Sequence, residues 1–196
     1  MVMRINKLII LLVAFFAFAT SCVKEEVPAE NPVGKDKKVI LKSLLAGRDT
    51  KWTVDDLDIP TLNGEWYEIR SVNELAYLLE FGSTKGEKFR LMADVDVASS
   101  SIADKFSGEI GAESFENFEF DGNGKTISGL DLPLAAGLFS RVKDSRIYNF
   151  TLASSTVGSA DNVSNLLGTG AVVGSTSGTL EVSNVTVSDC DVYAPC

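Results

Sequence analysis

The sequence predicts an all-β repeat domain headed by one capping helix and joined by a polar tether to an N-terminal export signal. Three observations carry this reading. From Phe89 onward, short apolar and β-branched runs are broken by Gly, Asp, Asn and Ser. Two segments repeat each other at an offset of 35 residues. A single well-marked helix, residues 71–81, stands just ahead of the first strands.

The N-terminus comes first in the chain. Arg4 and Lys7 precede an unbroken apolar run over residues 8–19. A run of about a dozen residues suits the core of a signal peptide and is too short for a hydrocarbon layer of ~30 Å. Ala19, Thr20 and Ser21 then lead into Cys22. This stretch resembles a bacterial lipobox, with Ala19 in place of the usual Leu, Val or Ile. The resemblance implies cleavage after residue 21 and lipidation of Cys22. Each buried methylene contributes ~0.8 kcal/mol, so the two or more chains such a cysteine carries make a lasting membrane anchor. Lys24, Glu25 and Glu26 follow and resemble the surface-export signal of Bacteroidota lipoproteins. The expected location is therefore the outer membrane, lipid-anchored and facing outward.

Composition narrows the function classes. Of 18 basic residues, Arg4 and Lys7 leave with the signal, so 16 remain against 27 acidic residues, a net charge near −11. That balance opposes nucleic acid, where Lys and Arg must neutralise phosphates. The chain has no histidine, which removes the commonest general base and metal ligand together. No cofactor or metal is expected. Cys190 and Cys196 are the pair available for a disulfide in an oxidising compartment, and two separate thiols fit equally well.

Residues 22–38, with Pro28, Pro32 and Gly34 among Glu and Lys, read as the lipidated cysteine and a flexible tether. Residues 39–66 stay unassigned: 39–46 fits a strand or a short helix, and Trp52, Leu57 and Ile59 suggest packing. In the helix at 71–81, Ser71 and Glu74 form a capping box, Val72, Leu75, Ala76 and Leu79 make one apolar face, and Gly82 ends it. Residues 67–196 form the repeat domain. Asn149-Phe150-Thr151-Leu152, with Val157 beyond, is echoed by Asn184-Val185-Thr186-Val187 and Val192. Asn162-Val163-Ser164 is a weaker third copy. Stacked asparagines of this kind form hydrogen-bonded ladders.

The run from Phe89 through Asp94 and Asp96, then Phe120-Asp121-Gly122-Asn123-Gly124-Lys125-Thr126-Ile127, resembles the opening of bacterial β-helix surface proteins. Gly137-Leu138-Phe139 and Gly170-Ala171-Val172-Val173-Gly174 resemble degenerate GLUG-type repeats of that adhesin-like family, with Ser140 where a glycine is usual. The resemblance covers residues 67–192 and implies a short right-handed parallel β-helix, a solenoid, with residues 71–81 as its N-terminal cap. The chain stops at Cys196 with no second cap legible, which fits a product shortened from a longer repeat protein. The open C-terminal edge is expected to self-associate end to end or to need a partner strand.

Candidate sites follow. Gly122–Thr126 imitates the end of a phosphate loop, but Glu119 stands where the first glycine belongs and no helix follows, so a tight turn is the better reading. Asp94/Asp96 and Asp189/Asp191 are i, i+2 carboxylate pairs, spaced as glycosidases or a calcium site could use them. No basic cluster accompanies either pair, and solvated faces account for them more simply. The leading expectation is a non-enzymatic, adhesin-like surface module that binds a host or envelope protein or a glycan. A carbohydrate-active β-helix enzyme is the alternative.

Overall fold

The computed structural model describes residues 35–107, 114–160 and 169–194. The signal, Cys22, Lys24, Glu25, Glu26, Asn162 and Cys196 lie outside these residues.

Helix α1 (Lys35–Leu45) begins inside the stretch expected to be tether. Asp36 in its first turn and Lys42 in its last oppose the helix dipole favourably. Leu41 is fully buried, and Ile40, Leu44 and Leu45 pack beside it. Trp52, Leu57 and Ile59 are buried as well, with Trp52 edge-on to Phe106 at 5.3 Å. The unassigned segment is thus a helix followed by core-lining chain. Strands β1 (Thr61–Asn63) and β2 (Trp66–Ile69) then form an antiparallel hairpin. Its turn passes through Gly64, at φ 63°.

Helix α2 (Val72–Phe81) matches its sequence signals closely. Ser71 Oγ accepts from Glu74 N at 3.2 Å, and Gly82 N donates to Leu78 O at 2.9 Å. Glu74 reaches back one residue further than a capping box requires, accepting from Arg70 N at 2.6 Å. Leu75, Ala76, Leu78 and Leu79 are buried.

The remaining elements are β3 (Lys88–Leu91), β4 (Val95–Asp96), α3 (Ala103–Phe106), β5 (Phe115–Glu116), β6 (Glu119–Ser128), β7 (Asp131–Leu132), β8 (Phe139–Ala153), β9 (Thr156–Val157), β10 (Val173–Ser188) and β11 (Asp191–Val192). The main sheet has eight strands, ordered β1-β2-β3-β6-β8-β10, with β4 on β6 and β5 on β8; β11-β9-β7 form a second sheet. Six phenylalanines fill the space beneath the main sheet. Phe89, Phe115, Phe118, Phe120, Phe139 and Phe150 form a chain of rings with centroids 5.1–6.1 Å apart.

The expected all-β, right-handed parallel β-helix is not what these residues build. Helix accounts for 17% and strand for 43%; the main sheet is mixed, antiparallel at β1–β2 and parallel elsewhere, and is neither closed nor a solenoid. The reason lies in the spacing. The 35-residue offset holds between β8 and β10 over most of their length, as in Phe150 to Val185 and Leu152 to Val187. The earlier neighbours pair at other offsets: Trp66 with Lys88, Lys88 with Glu119, Glu119 with Arg146. Nor is α2 a cap ahead of the first strand. It connects β2 to β3, which pair in parallel, and parallel neighbours need such a crossover.

Candidate functional site

The residues singled out from sequence are mostly structural. Asp94 Oδ1 accepts from Thr126 N at 2.8 Å, tying the loop before β4 to β6. Asp96 Oδ2 accepts from Ser99 Oγ at 2.5 Å. Asp189 and Asp191 are exposed on and beside β11 and converge on no cleft. Among the described residues no three acids or cysteines gather as metal ligands.

The phosphate-loop mimic is a bulge inside β6, not the start of a helix. The β6–β8 register shifts between Asp121 and Lys125, and Asn123 and Gly124 take φ 53° and 69°. The asparagine ladder has the two rungs that fall within the described residues. Asn184 Nδ2 donates to Asn149 Oδ1 at 2.8 Å, and Asn149 Nδ2 donates to Asp121 Oδ1 at 3.3 Å. Both asparagines have φ of 50–60°, a left-handed conformation that asparagine tolerates better than most residues. Cys190 is half-buried, its thiol 3.2 Å from Ser188 O. Its pairing with Cys196 falls outside the described residues.

A cleft that joins an aromatic lining to convergent polar groups was not marked by any sequence motif. It has a volume of about 120 Å³ and lies where α2 ends and β3 begins. Tyr67 comes from β2, Tyr77 and Phe81 from α2, Phe89 from β3, and the loop Gly82–Glu87 closes one side. Each is placed for a local reason. Tyr67 pairs with Phe89 in the β2–β3 register, and their rings stack at 5.2 Å and 25°. Tyr77 and Phe81 are one helical turn apart and touch at 4.8 Å. Arg48 lies over the Phe81 ring at 4.9 Å. Gly82, at φ 68°, ends α2 and turns the chain so that Ser83 Oγ and Lys85 N both donate to Glu87 Oε2, at 2.5 and 3.0 Å.

The two tyrosine hydroxyls are the unusual feature. Neither has a hydrogen-bond partner among the described residues, although Tyr77 is only 6% exposed. Burial raises the pKa of both phenols, and Glu87 raises each further by disfavouring a second negative charge. Both therefore remain neutral donors at physiological pH. The cleft thus offers two phenol O–H donors, the Glu87 carboxylate with one oxygen already fixed by the loop, and aromatic walls. Such a mixture of apolar surface and a few fixed polar groups is typical of small-molecule sites. The contributing residues come from three elements, so no local pattern in the sequence reveals them.

No family model matches this chain, and no curated protein or solved structure matches it either. Among the described residues no helix is long and apolar enough to cross a membrane.

Proposed function

We propose that this chain is a lipid-anchored envelope protein whose domain binds a saccharide-like ligand in the Tyr67–Tyr77–Glu87 cleft. The observation that carries the reading is the pair of neutral phenol hydroxyls without protein partners beside a positioned carboxylate. A ligand hydroxyl that accepts from either phenol takes the place of solvent at that donor. At ~30 Å³ per water, the cleft has room for about four waters, enough for part of one sugar ring. Ring carbons would lie on the aromatic wall while hydroxyls meet Tyr67, Tyr77 and Glu87.

The anchoring half of the reading rests on sequence: Arg4 and Lys7, the apolar run and Cys22 support lipidation, and Lys24, Glu25 and Glu26 support outward display. Binding without catalysis is the favoured mode. The carboxylate pair at Asp94 and Asp96 is engaged in hydrogen bonds from Thr126 and Ser99, and Asp189 and Asp191 converge on no cleft.

Saturation-transfer NMR of the purified protein against a panel of mono- and disaccharides tests the proposal. Ring protons of a bound sugar should receive saturation from aromatic resonances. Tyr67→Phe and Glu87→Gln should each weaken binding about tenfold or more, the scale of one lost hydrogen bond to a charged or buried group. Binding that is unchanged in both variants would overturn the assignment of this cleft.

A further inference from the structure

The main sheet ends in two very different edges. Strand β1 is three residues long and preceded by Pro60, a short and blunted edge. Strand β10 is sixteen residues long, contains no Pro, Lys or Arg, and pairs only with β8 among the described strands. Its outer row of backbone N–H and C=O groups meets no strand among the described residues. Val182 and Val187 are 47% and 45% exposed, yet they stack on Ile147 and Leu152, which are 0% exposed. Val192 on β11 is 41% exposed and stacks on Val157, at 1%. These three valines continue columns that are closed one strand earlier.

Two polar rows reach the same edge, and both state what should come next. The first alternates in sign strand by strand. Lys88 meets Glu65 at 2.6 Å and Glu119 at 3.4 Å; Arg146 meets Glu119 at 3.4 Å and Glu181 at 3.0 Å. The row therefore runs acid, base, acid, base, acid, and stops on Glu181 of β10. The second row is the ladder through Asp121, Asn149 and Asn184. Each member accepts from the side-chain amide of the next, and Asn184 Oδ1 is left as an acceptor without a partner among the described residues.

We infer that the outer edge of β10 receives one further parallel strand from another protein, with a Lys or Arg opposite Glu181, an aliphatic residue opposite Val182 and a side-chain amide opposite Asn184. Addition of an extended segment to an open sheet edge is a general recognition mode: main-chain hydrogen bonds supply affinity and alternate side chains supply selectivity. Charge selects the partner. Residues 173–192 contain Glu181, Asp189 and Asp191 and no basic residue, so two copies of this edge would set six acids against one another. The excess of 27 acidic over 18 basic residues in the whole chain adds to that repulsion. A basic strand from a different protein satisfies both rows, which a second copy does not. The proposal is independent of the saccharide cleft, which lies at the other side of the sheet order, by β2 and β3.

The sequence of β8 itself fits the required pattern, with Arg146, Ile147 and Asn149 in the right order, and gives a defined probe. A fluorescein-labelled synthetic peptide of the sequence of residues 139–153 is titrated with the full-length, detergent-solubilised protein, and anisotropy is read. Saturable binding is expected. Glu181→Lys in the protein should weaken it at least tenfold, and an Arg146→Glu change in the peptide should recover most of that loss. Hydrogen exchange keeps the test independent of any folding defect: peptide should slow the outward-facing amides of β10 and leave α2 unchanged. No saturable binding to the wild type, or a Glu181→Lys loss that the swapped peptide does not recover, would overturn the inference. So would sedimentation showing a dimer of the protein alone that involves β10, because the edge would then belong to a second copy.

Discussion

Two glycines two residues apart in β6 should respond to the same substitution in different degrees and for different reasons. A Cβ at Gly122 would lie 2.1 Å from Phe150 Cβ and 2.6 Å from Asn149 O. Relief to ordinary contact requires local movement of more than 1 Å between β6 and β8, whose normal spacing is ~4.8 Å. Overpacking of this kind costs ~1–3 kcal/mol. Opening the strands also strains one or two ladder hydrogen bonds, each worth ~1 kcal/mol. Gly122→Ala should therefore destabilise by about 2–5 kcal/mol. At Gly124 nothing lies within 4 Å, but φ is +69°. Gly124→Ala meets only the left-handed penalty of ~1–2 kcal/mol. Urea unfolding followed by tryptophan fluorescence measures both, with stability read from the midpoint at unchanged slope. Equal losses, or a larger loss at Gly124, would refute the account of the bulge as a close approach of two backbones.

Asp56 should govern the acid limb of stability. Burial raises its pKa, but hydrogen bonds from Lys105 and Thr53 outweigh that and hold the carboxyl below the usual carboxylate range. The folded state thus binds this proton less tightly than the unfolded chain, so the stabilisation is present above the unfolded value of ~3.9 and is lost as pH falls through the folded one. Asp56→Asn should lower stability at pH 7 by ~1–3 kcal/mol and flatten the decline as pH falls below the unfolded value of ~3.9. An unchanged acid limb in urea titrations at stepped pH would count against the assignment. For the anchor, Cys22→Ala should leave the protein uncleaved by the lipoprotein pathway or release it as soluble material, and mass spectrometry of the wild-type N-terminus should find acyl chains; an unmodified N-terminus would refute lipidation.

Local rules were legible where the structure obeys local physics. Ser71, Glu74 and Gly82 delimit α2 because caps act within one turn. The 35-residue echo matches the β8–β10 register from Leu180 onward, since stacked strands with equal connections carry matching side chains. The inference failed when it extended that spacing backwards. Between β2 and β8 the offsets run 22, 31 and 27, so the sequence carries no period there, and α2, expected as a cap, is instead the crossover between β2 and β3. Helix α1 was hidden by the lysines at its own start, Lys35, Lys37 and Lys38, which read equally well as tether. The cleft was illegible for a different reason: Tyr67, Tyr77 and Glu87 meet only once β2, α2 and β3 have assembled.

The alternating row from Glu65 to Glu181 has a consequence for how the sheet finds its strand order. Lys88 of β3, Glu119 of β6 and Arg146 of β8 each have a charge of opposite sign on both sides, so exchanging neighbours or omitting one of these strands brings like charges face to face. Exposed pairs of this kind add little to stability singly. Their value lies in parity: an arrangement with one strand too many or too few is out of phase with the row. The same check extends to whatever approaches β10, where an acidic strand is refused by the charge already in place at Glu181.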